Sequence, residues 1–117
     1  MKRAVVVLAS DELQSETLCA MLTEKDFRPV PISDPAEATN SISETSCLAL
    51  ILDLDSISAT NIMLRDLKKK HDITIIAVSE RKLHPELAES MGSHIFASLV
   101  KPVDPDDLEY LLKGVFE

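Results

Sequence analysis

Residues 48–56 read Leu48-Ala49-Leu50-Ile51-Leu52-Asp53-Leu54-Asp55-Ser56, an unbroken apolar run that meets an acid. Such a run is typical of a strand that is buried on both faces, at the centre of a parallel sheet. Asp53 then lies at or just past the carboxyl end of this strand. Open α/β sheets bind their ligands at that edge, where the strand order reverses. The sequence therefore places the candidate functional site around Asp53.

Length and composition favour one domain. The chain has 117 residues, of which 45% are apolar and 27% are charged, as in ordinary globular proteins. Its formal net charge of −8 argues against direct binding of nucleic acid, which needs a basic surface. We find no secretory signal and no apolar run long enough to span a membrane. Cys19 and Cys47 have no metal or redox spacing, and we expect a cytoplasmic protein.

Strand and helix patterns alternate five times along the chain. Apolar runs predict strands at residues 4–8, 27–32, 48–52, 73–78 and 95–100. Helices are predicted to begin after Asp11, Asp34 and Asp104, where an acid can cap the first turn, and near residues 61 and 85. This alternation predicts an α/β fold with helices on both faces of a five-stranded parallel sheet. Pro29 and Pro31 put the second strand at an edge, which favours the doubly wound order 2-1-3-4-5.

The helical patterns also predict which side chains face the core. Inward positions are expected at Leu13, Leu18, Met21 and Leu22 in the first helix, and at Ile62, Met63 and Leu67 in the third. The histidines have no metal-like spacing and are expected at the surface: His71, His84 and His94.

The predicted fold collects polar side chains at the carboxyl edge of the sheet. They are Asp11 and Glu12 after strand one, Asp53 and Asp55 after strand three, Ser79 after strand four and Lys101 after strand five. Carboxylates can hold Mg²⁺, which prefers oxygen ligands. A cation and a lysine can neutralise a phosphoryl group that transfers to a carboxylate, and a serine hydroxyl can bond the product.

With these residues in place, the chain resembles the receiver domain of two-component response regulators, the CheY-like type with a flavodoxin-like (βα)5 fold. The resemblance covers essentially the whole chain and rests on Asp53, Ser79 and Lys101-Pro102 with the residues 103–108 that follow. It implies that Asp53 is the phosphoacceptor for a sensor histidine kinase. It also implies that Ser79 is the switch hydroxyl and that Lys101 pairs with the phosphate and precedes a cis peptide bond.

The same resemblance implies a cofactor and partners. Mg²⁺ would be held by Asp11, Asp53, the backbone carbonyl of Asp55 and Glu12. The signal would pass to an output domain or a partner protein, and the domain would not be an enzyme in the usual sense. Residues 1–117 would form one receiver-like domain, either free-standing or the N-terminal part of a longer regulator.

The chain departs from the receiver pattern at the metal positions. Receivers usually end strand one with two acids, but an alignment without gaps from Phe27 puts Ala9 and Ser10 there, with Asp11 and Glu12 following. Three other family positions also differ, because the usual proline, glycine and aromatic switch residue are Ile57, Asn61 and Ser98. The chain is therefore an atypical receiver.

Several interpretations stay open on the sequence alone. Asp11 is a helix cap, a metal ligand or both. Asp53 is a loop cap or the phosphoacceptor, and Lys101 would form a salt bridge with it even in an inactive relative. Two functional hypotheses follow: a phosphorylated receiver, and a pseudo-receiver that acts as a protein-interaction module without phosphorylation.

The resemblance implies that the surface of helix four, strand five and helix five is the face that contacts a partner protein or, at high concentration, a second copy of the chain in a homodimer. The last helix carries a wide apolar arc at Leu108, Leu111, Leu112, Val115 and Phe116, part of which we expect to be exposed. Charged substitutions at Tyr110 and Leu112 should then disrupt association without unfolding. Because Ser98 replaces the aromatic switch, Phe96 is the expected alternative route from Asp53 to this face.

Overall fold

The computed structural model describes residues 2–82 and 84–116, which form five strands and five α-helices. The strands are β1 (Arg3–Leu8), β2 (Phe27–Ile32), β3 (Ala49–Asp53), β4 (Thr74–Ser79) and β5 (Ile95–Val100). The helices are α1 (Glu12–Glu24), α2 (Ala38–Thr45), α3 (Asn61–Lys70), α4 (Ala88–Ser93) and α5 (Pro105–Phe116). Single 3₁₀ turns at Pro35–Glu37 and Pro85–Leu87 lead into α2 and α4.

The five strands form one parallel sheet in the predicted order, β2-β1-β3-β4-β5. The prediction of an α/β fold with this order is confirmed. Pro29 and Pro31 lie in β2, an edge strand, where a missing N–H costs no ladder bond on the open side. In the pairing of β1 with β3, Leu8 lies opposite Leu52, so the next residues, Ala9 and Asp53, lie side by side at the carboxyl edge of the sheet.

Two apolar cores lie on the two faces of the sheet. Because side chains alternate along a strand, Val6 and Leu50 join the core on the side of α2 and α3, while Val7 and Ile51 join the core with α1 and α5. The central strands are buried on both faces, as their unbroken apolar runs predict. Within the described residues, no helix is both long enough and apolar enough to cross a membrane.

Two of the predicted inward positions are wrong. Leu13 is 68% exposed and Ile62 is 62% exposed. The face of α1 that meets the sheet contains Leu18, and Leu13 lies five residues earlier, about 140° around the helix. The same offset separates Ile62 from the buried Leu67. Both residues lie in the first turn of their helix, at the edge of the apolar face, and their side chains do not reach the core.

The prediction that His84 lies at the surface is also wrong, because the residue is buried. Its Nδ1 lies 3.0 Å from the Arg81 guanidinium and 3.5 Å from the Glu86 carboxylate, and its Nε2 lies 3.2 Å from the Arg81 carbonyl oxygen. Leu87 and Ser90, which follow His84 in the chain, are buried as well. Local contacts of this kind leave no periodic signal in the sequence.

The apolar arc of α5 is more completely buried than we expected. Leu108 and Leu112 are fully buried, and three further residues of the arc pack against the same core: Leu111, Val115 and Phe116. The Phe116 ring lies against Phe27, with ring centroids 5.8 Å apart. A charged residue at position 112 would therefore disrupt the core, so that part of the expected surface is wrong. Tyr110 does point outward and is 78% exposed.

Candidate functional site

Asp53 is the last residue of β3 and is completely buried. Its Oδ1 accepts a hydrogen bond from Lys101 Nζ at 2.8 Å and another from the backbone N–H of Asp55 at 3.2 Å. Its Oδ2 accepts a hydrogen bond from Ser56 Oγ at 2.7 Å. A carboxylate buried without partners would be strongly destabilising, and these three donors remove that penalty. Both oxygens of Asp53 are therefore engaged inside the protein.

Asp55 lies in the turn after β3, and its side chain reaches across to β4 and β5. Its Oδ2 lies 2.8 Å from Lys101 Nζ and accepts the backbone N–H of Glu80 at 2.9 Å. Its Oδ1 accepts a hydrogen bond from Ser79 Oγ at 3.1 Å. The Asp55 carboxylate thus connects the carboxyl ends of three neighbouring strands. The sequence assigned only the backbone carbonyl of this residue a role.

Lys101 follows β5 and is the one cation in contact with both carboxylates among the described residues. Its backbone N–H donates to the carbonyl oxygen of Ser79 at 2.8 Å, which aligns the end of β5 with the end of β4. The side chain is only 11% exposed. The Lys101–Pro102 peptide bond is cis, as the resemblance implies.

The protonation of this cluster follows from its contacts. Burial acts to raise the pKa of Asp55, but hydrogen bonds from Lys101, Glu80 and Ser79 outweigh it and hold the pKa below its ordinary value. Burial acts to lower the pKa of Lys101, but its bonds to Asp53 and Asp55 outweigh that effect and raise the pKa. Lys101 is therefore a cation and Asp55 an anion at neutral pH.

The two acids after β1 are placed differently from Asp53 and Asp55. Asp11 is exposed and caps α1, where its Oδ1 accepts the backbone N–H of Gln14 at 3.2 Å. Glu12 is the first residue of α1 and is also exposed. Within residues 2–82 and 84–116, no three acid, histidine or cysteine side chains are close enough to hold a metal ion. The cap interpretation of Asp11 is confirmed by its hydrogen bond to Gln14, while its role as a metal ligand stays a prediction.

Serines occupy the space between β1 and Asp53. The backbone N–H of Ser10 donates to Ser56 Oγ at 3.0 Å, and Ser10 Oγ donates to the carbonyl oxygen of Ser56 at 2.6 Å. Ser56 in turn donates to Asp53. Ala9, beside Asp53, is buried and has no side-chain donor or acceptor. A chain of serine hydrogen bonds thus joins the end of β1 to the end of β3.

This donor set does not fit a divalent cation. Mg²⁺ needs several free oxygen ligands in octahedral geometry. Both Asp53 oxygens already accept hydrogen bonds, and the Lys101 ammonium lies 2.8 Å from one of them. A cation bound to the same carboxylate would also be repelled by the Lys101 ammonium. The Mg²⁺ site predicted from Asp11, Asp53, Asp55 and Glu12 stays a prediction, which these hydrogen bonds do not favour.

The sequence reasoning missed Ser56 and Ser10 as parts of the site. Ser56 lies three residues after Asp53, and its N–H lies 3.4 Å from the Asp53 carbonyl oxygen in a turn. Serine and aspartate in one short turn are a recognised local pattern, so this partner could have been found. Ser10 was placed at a metal position of the receiver pattern, but its contact with Ser56 left no local signal, since the two residues meet only through the tertiary fold.

Comparison with solved structures gives close matches in fold. A CheY-like receiver domain from Methylobacillus flagellatus matches with a TM-score of 0.79 and 20% identity over 98% of this chain and 99% of its own. A receiver domain protein from Clostridium thermocellum matches with a TM-score of 0.82 and 18% identity, over 97% and 93% of the two chains. A two-component response regulator from Clostridium difficile matches with a TM-score of 0.84 and 14% identity, over 98% and 96%.

Sequence comparison finds no such relative. No protein-family model and no curated protein matches the chain. At 14–20% identity these matches show similarity of fold and assign no role to individual residues. The strand order, the helix on each crossover and the coverage of nearly the whole chain agree with one architecture. The chain therefore has the flavodoxin-like α/β fold of CheY-like response-regulator receiver domains.

Proposed function

We propose that this chain is a receiver-fold signalling module that acts through protein contacts and does not take up a phosphoryl group. The observation that carries this proposal is the state of Asp53, which is completely buried with both oxygens hydrogen-bonded. Phosphoryl uptake needs a free carboxylate oxygen in line with the donor at about 3–3.5 Å. We propose that the hydrogen bonds from Lys101 and Ser56 leave neither oxygen of Asp53 free for this attack.

The residues around Asp53 support the same conclusion. Transfer of a phosphoryl group develops charge that a metal ion normally neutralises. Ala9 and Ser10 stand beside Asp53 in place of acids, and Asp11 caps a helix instead. We propose that the hydrogen bonds from Ser10 through Ser56 to Asp53 take over the structural role of joining β1 to β3.

A partner surface is offered by β5, the edge strand opposite β2. Phe96 is 60% exposed and Val100 is 40% exposed. Phe96 is the extra residue of a bulge, because the pairing with β4 passes from Ile95 directly to Ala97. Exposed apolar side chains beside an unpaired strand edge are a common contact site. We propose that an output domain, a partner protein or a second copy binds here.

A second function, the phosphoacceptor receiver, is favoured by one observation. The three residues that the family pattern requires do converge, with Lys101 bonded to Asp53 directly and Ser79 joined to Lys101 through Asp55. In this case a sensor histidine kinase would be the partner and Asp53 the acceptor. Ser56 and Asp55 would first have to release their bonds.

Mass spectrometry separates the two candidate functions. Wild-type protein and Asp53→Asn are incubated with acetyl phosphate and Mg²⁺, beside a receiver that is known to autophosphorylate as a positive control. We expect the control to gain one phosphoryl group and wild-type protein to gain none. A gain in wild-type protein that is absent from Asp53→Asn would overturn the proposal and establish the second candidate.

The contact face is tested by a charge on the exposed bulge. We expect wild-type protein to self-associate at concentrations up to millimolar, as measured by analytical ultracentrifugation. The Phe96→Glu variant should associate less than wild type and should have the same thermal stability. Ile62→Glu is the matched control, because Ile62 is equally exposed but lies on α3. Equal association of both variants and wild type would exclude β5 as the dimer contact.

A further inference from the structure

The carboxylate of Asp55 is surrounded by three donors from two other strands. These are the Lys101 ammonium at 2.8 Å, the Glu80 backbone N–H at 2.9 Å and the Ser79 hydroxyl at 3.1 Å. A cation, a backbone N–H and a hydroxyl directed at one point form an anion-binding pocket. Its occupant here is a side chain of the same chain.

The donors belong to the rigid part of the molecule. Ser79 is the last residue of β4 and is completely buried, and Lys101 is tied to it by a backbone hydrogen bond of 2.8 Å. Asp55 instead lies in a turn and is exposed as a residue, with 28% of its side chain accessible. The pocket is thus built by the sheet, while its anion is carried on a loop.

A tethered anion has an advantage over one in solution. The turn holds the Asp55 carboxylate close to the pocket, which raises its effective concentration to the millimolar range or above. The carboxylate also has no translational freedom left to lose on binding. Free oxyanions at lower concentrations are therefore excluded from the pocket.

We propose that Asp55 is an internal anion that fills this pocket, and that removal of its carboxylate opens the pocket to a free tetrahedral oxyanion such as inorganic phosphate. The wild-type chain keeps the ends of β3, β4 and β5 in the anion-bound arrangement without a ligand. The inference deepens the proposed function and rests on it, because it explains how the site stays in one state in the absence of phosphorylation.

The pocket has a built-in readout. The Ser79 hydroxyl donates to Asp55 and accepts the backbone N–H of Arg81 at 3.0 Å, so the anion orients the hydroxyl that holds the start of the following loop. Loss of the Asp55 carboxylate should loosen this segment. An oxyanion that enters in its place should order it again.

The test is a ¹H–¹⁵N NMR titration with inorganic phosphate at constant ionic strength. In Asp55→Ala we expect saturable shifts of the Ser79, Glu80 and Arg81 amides, with a dissociation constant roughly tenfold or more below that of wild type. Asp34→Ala is the charge-matched control, because Asp34 is an exposed cap after β2. It should behave as wild type.

Two further variants keep the result interpretable. Asp55→Ser retains a short polar side chain that suits a turn, and it carries the same expectation if Asp55→Ala fails to fold. Adding Lys101→Met to either variant should abolish the phosphate response. The inference is overturned if phosphate shifts these amides equally in wild type, or if a folded Asp55 variant shows no saturable response.

The outcome is separable from that of the proposed function. The phosphate titration contains no phosphoryl donor and detects only reversible binding at Ser79 and Glu80. The acetyl phosphate experiment detects only a covalent gain on Asp53. Covalent uptake by wild type would overturn the proposed function. Phosphate binding that is the same in wild type and the Asp55 variants would overturn only the inference that Asp55 is an internal anion.

Discussion

The ends of β3, β4 and β5 and the end of β1 lie at one edge of the same sheet, yet their polar side chains behave differently. Asp53, Asp55, Ser79 and Lys101 are joined in one network of short hydrogen bonds. Asp11, only two residues beyond Ala9, points away and caps a helix. A position at the carboxyl edge of the sheet therefore does not by itself bring an acid into the network. One or two residues in a turn decide whether its side chain faces the site or the solvent.

The largest effect is expected from removing the cation of the network. Lys101→Met leaves the buried carboxylate of Asp53 without its positive partner, and breaking a buried ion pair from one side costs about 3 kcal/mol or more. Urea unfolding should show this loss in the free energy of unfolding. Lys113→Met is the control, since Lys113 is largely exposed on α5 and should change little. Equal stability of both variants would mean that the network does not stabilise the edge.

The next effect concerns the serine that joins the two regions. Ser56→Ala removes a donor to Asp53 and an acceptor for the Ser10 N–H, and an unsatisfied buried partner costs about 2 kcal/mol. The free energy of unfolding is again the measurement. Ser58→Ala, an exposed serine of the same loop, should be near neutral. A neutral Ser56→Ala would show that water replaces the hydroxyl.

A smaller effect is expected at the other region. Asp11→Ala removes the cap of α1 and should cost about 1 kcal/mol, while the amide shifts of Asp53 and Lys101 stay unchanged. Glu12→Ala, with the same change in charge, should lower the free energy of unfolding by only a few tenths of a kcal/mol. If Mg²⁺ binds wild type at millimolar concentration and Asp11→Ala abolishes it, the contrast between the two regions fails.

The smallest effect is in the pH dependence of stability. The pKa of Asp55 is lower in the folded protein than in the unfolded chain, so its ionised form favours folding above the ordinary aspartate pKa. That contribution is lost as the pH falls through the folded pKa. The free energy of unfolding should therefore fall less steeply below about pH 5 in Asp55→Asn than in wild type. An unchanged slope in Asp55→Asn would contradict the prediction.

Much of the architecture was predictable from local patterns. Unbroken apolar runs indicated the buried strands, and the prolines of β2 indicated an edge, because a residue without an N–H cannot sit in the middle of a sheet. The caps Asp11 and Asp34 were also read correctly. The burial of residues at the edge of an apolar helix face was predicted less well. Leu13 and Ile62 lie in first turns, where a residue at that edge can be either buried or exposed.

By itself the sequence determined the class of fold through its periodicity, and the prolines of β2 indicated the strand order. Together these predicted the edge at which Asp53, Ser79 and Lys101 gather. Only the tertiary structure decided which donors each carboxylate meets. Asp55 binds across two neighbouring strands, and Ser56 binds Ser10 from 46 residues away. Such contacts depend on turn geometry and on distances between side chains, where a shift of an ångström or a single residue changes the partner, and no local pattern carries that information.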